Sequence, residues 1–359
     1  MLLEQMFKER NSSKGTQNTY TQSVRFYEKL TGHTIDELIQ IADHEETHNI
    51  RWKNTRTRQW LIEYRQWLHE KYYISTAQLY LTAVMVVYRH YEINIPKLPY
   101  FSKKHLKKSP PINYNDLPDR EILNNCLQVS TPLIRSVILF ISSSGLSRAD
   151  VLNLRIKDYL DATSEYHTHP NSIKYAIQDM GDTDIIPTFH LRRQKTDYNY
   201  FTFCSHEACK TINAYLLTRK DKLTQDRPLF KINERYINTA FERLNTYFNL
   251  GKIGIYNRIR PHMLRKFHAS QLAESGMSTE HINLLQGRKI KGVAHERYIR
   301  LNPDTIKEEY IQALPYLVIQ DVNKYKSKVD LLTEENKMLQ TKQDKITEIL
   351  QRLDKLEKL

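Results

Sequence analysis

Residues 261–300 read PHMLRKFHASQLAESGMSTEHINLLQGRKIKGVAHERYIR. Behind Pro261, His262 and Arg265 stand three apart at a predicted helix start, which puts both on one face where they can address a single phosphate together. The helical period runs over Met263–Gly276 and again over Ser278–Gln286, then breaks at Gly287-Arg288-Lys289 before Tyr298. An HxxR pair by itself occurs often by chance, so what surrounds it has to decide its meaning.

Upstream, Asp119–Val129, Pro132–Ser142 and, after an SSSG break, Arg148–Leu154 carry a helical period. From Ser172 to Phe203 polar and apolar residues alternate, which predicts a β excursion with strands at Ile185–Leu191 and Tyr198–Phe203 around a basic tip, RRQKTD. Glu207–Leu217 and Glu234–Phe248 return to helix. Before residue 104 the amphipathic stretches Thr19–Leu30, Thr55–Tyr72 and Thr76–Tyr91 predict a separate helical domain. Its basic and aromatic residues interleave (Arg25, Arg51, Trp52, Lys53, Arg56, Arg58, Trp60, Arg65, Trp67), a pattern that suits a surface laid against phosphates and equally suits a solvated face around an aromatic core.

The segment FSKKHLKKSPPINYNDLP, Phe101–Pro118, resists regular structure through its prolines and lysines and marks the domain boundary. The chain therefore divides into 1–107, 108–317 and 318–359. The last part has a heptad seam, with Val322, Val329, Asn336, Gln343 and Leu350 at a and Tyr325, Leu332, Leu339, Ile346 and Leu353 at d. It predicts a coiled coil, with Asn336 favouring an in-register parallel dimer or an equivalent pairing with another protein. The fold class is mainly α with a small β-hairpin.

Composition narrows the partners. Lys and Arg number 54 against 41 Asp and Glu, a formal charge of +13 that favours a polyanion. Apolar runs such as Tyr80–Tyr88 are far shorter than the roughly 20 residues that span a bilayer. The opening MLLEQMFKERNSSKG lacks the apolar core of a secretory signal, so a cytoplasmic protein is expected. Cys126, Cys204 and Cys209 form no CxxC pair, and the histidines make no HExxH, which leaves neither a disulfide framework nor a metal site to expect.

In this order and spacing, HxxR, glycine turn and tyrosine resemble the C-terminal signature of the tyrosine recombinases, the phage-integrase-like enzymes. The following DTIKEEYIQALPYL resembles the closing helix of archaeal members. GLSRADVLNL, Gly145–Leu154, resembles the family's first arginine box and nominates Arg148. In the commonest pattern the arginine directly follows GL, where this chain has Ser147; Arg155 is the fallback. LRRQKTDYNYFTF resembles the hairpin whose lysine enters the active site, which nominates Lys195, while Arg192 and Arg193 bind phosphate or solvate the turn. Arg288 stands where the family places a histidine or tryptophan after a glycine.

The resemblance implies an α+β catalytic domain behind a helical core-binding domain. It also implies a 3′-phosphotyrosine intermediate, no cofactor, double-stranded DNA as partner and a tetramer on DNA. The chemistry is coherent: a tyrosine hydroxyl with a reference pKa of ~10 needs a cationic field to attack at neutral pH. Arg148 and Arg265 would supply that field and neutralise the non-bridging oxygens. His262 would exchange the tyrosine proton, and Lys195 would protonate the departing 5′ oxygen. Two other functions fit the same residues: a DNA-binding protein that has lost catalysis, and a type IB topoisomerase.

Overall fold

Helix starts and stops are written into short polar and glycine positions along the chain, and the computed structural model, which describes residues 2–193, 198–288 and 302–320, places helices between them. The chain separates into two compact units, Met1–Pro111 and a second that begins at Ile112. The sequence puts that boundary at 107. The linker stays with the first unit a little longer because the Lys107 carbonyl accepts a 3.0 Å bond from the Ile74 amide.

The first unit holds α1 (Leu2–Glu9), α2 (Lys14–Thr31), α3 (Ile35–Thr47), α4 (Arg56–Lys71) and α5 (Ile74–His90). Ser13 and Thr55 cap α2 and α4 with their hydroxyls, and Thr34 with Glu37 forms a reciprocal capping box on α3. Its core is unusually phenolic: Tyr27, Tyr64 and Tyr88 are fully buried. Their hydroxyls are satisfied, Tyr27 with Tyr88 at 3.2 Å and Tyr64 donating to the Ser23 carbonyl at 2.8 Å. The buried Glu45 carboxylate accepts from the Arg56 amide (2.5 Å) and the Thr57 hydroxyl (2.7 Å), fastening α3 to the first turn of α4. Trp52, Trp60 and Trp67 lie half-buried against this core, and the Arg65 guanidinium stacks 4.8 Å over the Phe101 ring.

In the second unit α6 (Arg120–Val129) leads into α7 (Pro132–Ser144), which is buried from Ser136 onward and packs against α11 (His206–Thr218) and α13 (Pro261–Glu274). Three serines end α7 inside the core. Each is tolerated because its hydroxyl donates to a carbonyl one turn back: Ser142 and Ser143 to Leu139, Ser144 to Phe140. Then come α8 (Arg148–Asn153), α9 (Ile156–Ala162), α10 (Ile173–Met180), β1 (Thr188–Arg192) and β2 (Asn199–Phe203), and beyond α11 the helix α12 (Glu234–Tyr247) and the two-residue strands β3 (Lys252–Ile253) and β4 (Tyr256–Asn257). After α13 follow α14 (Thr279–Leu285) and α15 (Pro303–Leu317). β1 and β2 pair antiparallel, from Thr188 opposite Phe203 to Arg192 opposite Asn199.

One sequence expectation is corrected here. The β excursion does not begin at Ser172, because Ile173, Ala176, Ile177 and Met180 recur at helical spacing and bury as the inner face of α10. Three further helices, α1, α3 and α9, were not predicted individually. The hairpin strands begin and end within three residues of the predicted ones.

Candidate active site

α13 starts at Pro261, whose missing N–H is no loss in a first turn and whose ring fixes a helical φ. Arg265, on its second turn, is 5% exposed, an unusual depth for a guanidinium. It is held there by two carbonyls: Nη1 donates to Gly145 O at 2.7 Å and Nη2 to Gln286 O at 2.6 Å. Burial, then the charges of Arg193 and Arg288, lower its pKa to about 10, so it stays protonated at neutral pH.

Both anchoring turns depend on glycine. Gly145 ends α7 at φ +65°, and a Cβ there would lie 2.5 Å from His268 Nδ1. Gly287 follows α14 at φ +59°, where a Cβ would lie 2.9 Å from the Tyr200 ring. The carbonyl of Gly287 accepts from the Arg193 guanidinium, so one left-handed glycine and its neighbour Gln286 receive both arginines. Behind them His268 is fully buried, with Nδ1 3.1 Å from Gln286 Nε2, which also donates to the Arg265 carbonyl at 2.9 Å.

Arg193 and Arg265 line one cavity of about 560 Å³, together with Leu146, Ser147, Arg148, Ala149, Asn238, Arg260, Pro261, His262 and Arg288. Thus Arg148, His262, Arg265 and Arg288, from three separate sequence motifs, meet at one place. Lys195 and Tyr298 lie outside the described residues. Arg148 stands at the rim, partly exposed. Its Nη2 pairs with Glu234 at 2.5 Å and its Nη1 donates to Asn238 Oδ1 at 2.8 Å, both on α12. Ser147 caps α8 and donates to Asp150 Oδ2 at 2.6 Å. Arg155, the fallback, is absent from this cavity; it donates to the Asp226 carbonyl on another face.

The cavity is strongly cationic. Among the described residues five arginines line it and no carboxylate does. His262 has its pKa lowered, first by partial burial and then by Arg260, Lys266, Arg265 and Arg288, so its ring is neutral at pH 7 and able to accept a proton. Tyr200, buried beside the cluster, has its pKa pushed well up by burial, which keeps its phenol protonated. A groove of similar volume, about 620 Å³, runs along α12 past Val129, Ile134, Tyr236 and Leu244, but it gathers no comparable set of cations and acid–base groups. Among the described residues no group of three or more histidines, cysteines or carboxylates could hold a metal.

Sequence reasoning left Arg193 as a phosphate binder or a solvated turn residue without naming it for the site, and missed His268 and Gln286 altogether. Only Gly145 and Gly287 gave a signal, as turn glycines flanking candidate arginines.

Comparison with known proteins agrees with this geometry. The Phage integrase family profile matches residues 120–304, just over half of the chain. No curated protein sequence matches it. Among solved structures, the XerH site-specific recombinase bound to its difH substrate superposes with a TM-score of 0.50 at 17% identity, covering 85% of this chain and 82% of that one. The Tn1549 transposon integrase in complex with transposon right end DNA gives 0.51 at 13% identity, covering 86% and 96%. At such identities these structures attest the shared fold, while the matched stretch contains the arginine box, the hairpin, His262, Arg265 and Arg288 together, and on that match the chain belongs to the phage integrase family, the tyrosine recombinases.

Proposed function

We propose that this chain is a site-specific recombinase that cuts and rejoins double-stranded DNA through a 3′-phosphotyrosine at Tyr298. The observation that carries the reading is the cavity in which buried Arg265, neutral His262, Arg148 and Arg288 converge with no carboxylate among the described lining residues. Such a site fits a phosphodiester, whose charge grows on the non-bridging oxygens during transfer. The solved neighbours described with DNA, XerH on difH and the Tn1549 integrase on a transposon end, support duplex DNA as the partner.

In the proposed reaction the Tyr298 oxygen bonds to phosphorus and the bond from phosphorus to the 5′ oxygen breaks. The phenolic proton passes to His262, and the leaving 5′ oxygen takes a proton from Lys195. Rejoining is the reverse, so the phosphotyrosine stores the linkage. The N-terminal unit would grip the duplex through α4 and its basic residues, residues 318–359 would pair as a coiled coil, and four copies would assemble on two DNA sites.

The test is a metal-free incubation with nicked or phosphorothiolate duplexes carrying candidate element ends, followed by a denaturing gel. Wild type should give a covalent protein–DNA adduct, and Tyr298→Phe should give none. An adduct that survives in the variant means another nucleophile. DNA binding without any adduct favours the second reading, a non-catalytic DNA-binding protein of this fold. One observation speaks for that reading: Ser147 occupies the usual arginine place, and the guanidinium of Arg148 is engaged by Glu234 and Asn238.

A further inference from the structure

Resting on the recombinase reading, we propose that Arg193 is the second guanidinium of the phosphate clamp and fills the role that Arg148 leaves open. A phosphodiester in the cavity has two non-bridging oxygens to neutralise, and Arg265 alone already uses one N–H of each terminal nitrogen on a carbonyl. Arg148 is engaged elsewhere: one terminal nitrogen pairs with Glu234 and the other donates to Asn238, both on α12. Arg193 has neither restriction. It lines the same cavity, and among the described residues its guanidinium is fixed by the Gly287 carbonyl alone and has no carboxylate partner.

Its position is also electrostatically costly unless an anion arrives. Arg193 is the first charge, after burial, to depress Arg265, and the first to depress Arg288, so three guanidiniums crowd one another. Like charges held this close, offset at Arg265 only in part by Asp150, are suited to receive an anion. The anchoring is economical as well. Gly287 O holds Arg193 and the adjacent Gln286 O holds Arg265, so a single turn after α14 sets the spacing of both forks. A fork fixed before binding needs little further ordering to meet two oxygens.

The experiment uses the full-length protein and two readouts. Binding to a random-sequence 30-bp duplex is followed by fluorescence anisotropy over a KCl series, and adduct formation is followed at saturating nicked duplex. The variants are Arg193→Gln, Arg193→Lys, Arg148→Gln and, as a charge-matched control, Lys174→Gln on the exposed face of α10. Gln at 193 removes the charge, and Lys at 193 restores it without the fork, so the two variants separate charge from anchoring geometry.

Arg193→Gln should weaken binding about tenfold and reduce the salt slope by about 1, the signature of one lost phosphate contact. It should also slow adduct formation by about 10² to 10³, as loss of one transition-state donor does. Arg193→Lys should recover the slope but only part of the rate, and Arg148→Gln should lose less than Arg193→Gln in both. If Arg193→Gln matches Lys174→Gln in slope and rate, Arg193 is only an anchor for the turn and the proposal is overturned. If wild type forms no adduct, the recombinase reading fails by itself. The salt slope then judges Arg193 separately: a loss of about 1 upholds it as a phosphate ligand, and no loss removes it.

Discussion

His268 shows how a single residue can carry both the site's geometry and a pH dependence. It is fully buried, and burial together with the charges of Arg265 and Arg288 holds its pKa at about 3. An unfolded chain binds that proton near pH 6.5, so between pH 6.5 and 3 the unfolded state carries a proton that the folded state lacks. Stability from this residue is complete above pH 6.5 and declines on acidification, by at most ~1.4 kcal/mol per pH unit. His268→Gln retains an acceptor for Gln286 Nε2 and cannot titrate. Urea unfolding of the two proteins at pH 7 and pH 5 should show the variant losing about 2 kcal/mol less than wild type over that interval. Equal losses would mean that His268 is protonated in the folded protein.

At the level of elements, the site is made by where helices stop. α7 and α14 each end on a left-handed glycine, and the carbonyls released there receive the arginines. Gly145 faces His268 with no space for a methyl, whereas Gly276, just after α13 at φ +91°, has nothing within 4 Å of the same added atom. Alanine at Gly276 should therefore cost only the backbone strain, about 1–2 kcal/mol. Alanine at Gly145 adds overpacking against an imidazole, a further ~1–3 kcal/mol, and displaces the acceptor of Arg265. Chemical denaturation of both variants tests the ranking. Equal costs would show that the α7 turn can shift to admit a methyl group, and would weaken the view that this turn fixes Arg265.

For the whole molecule, the two units have separate cores. Buried residues of the first, from Met6 to Ile95, form one cluster, and those of the second form two clusters of their own. A unit of this size with side-chain caps on α2, α3 and α4 and a continuous core has what independent folding requires. Residues 1–111 expressed alone should show a helical circular dichroism spectrum and one cooperative thermal transition. A broad, non-cooperative loss of signal would show that the first unit needs the rest of the chain. No helix among the described residues is long and apolar enough to cross a membrane.

The sequence alone determined the local features: helix periods, the linker, the hairpin, and the arginine, histidine and glycine positions that mark the family. These are legible because helix capping, side-chain period and turn chemistry act over a few residues. It misjudged residues 172–180, where a helix of eight residues offers too few turns to override an apparent alternation. It had no means of ranking Arg148 against Arg193. Which of two cavity-lining arginines is held by a backbone carbonyl and which is tied to Glu234 depends on α12, more than 80 residues beyond Arg148, and on a glycine turn after α14. The depth of Arg265, the neutrality of His262 and His268, and the carbonyls that hold the forks are likewise properties of packing between distant elements, and only the tertiary structure decided them.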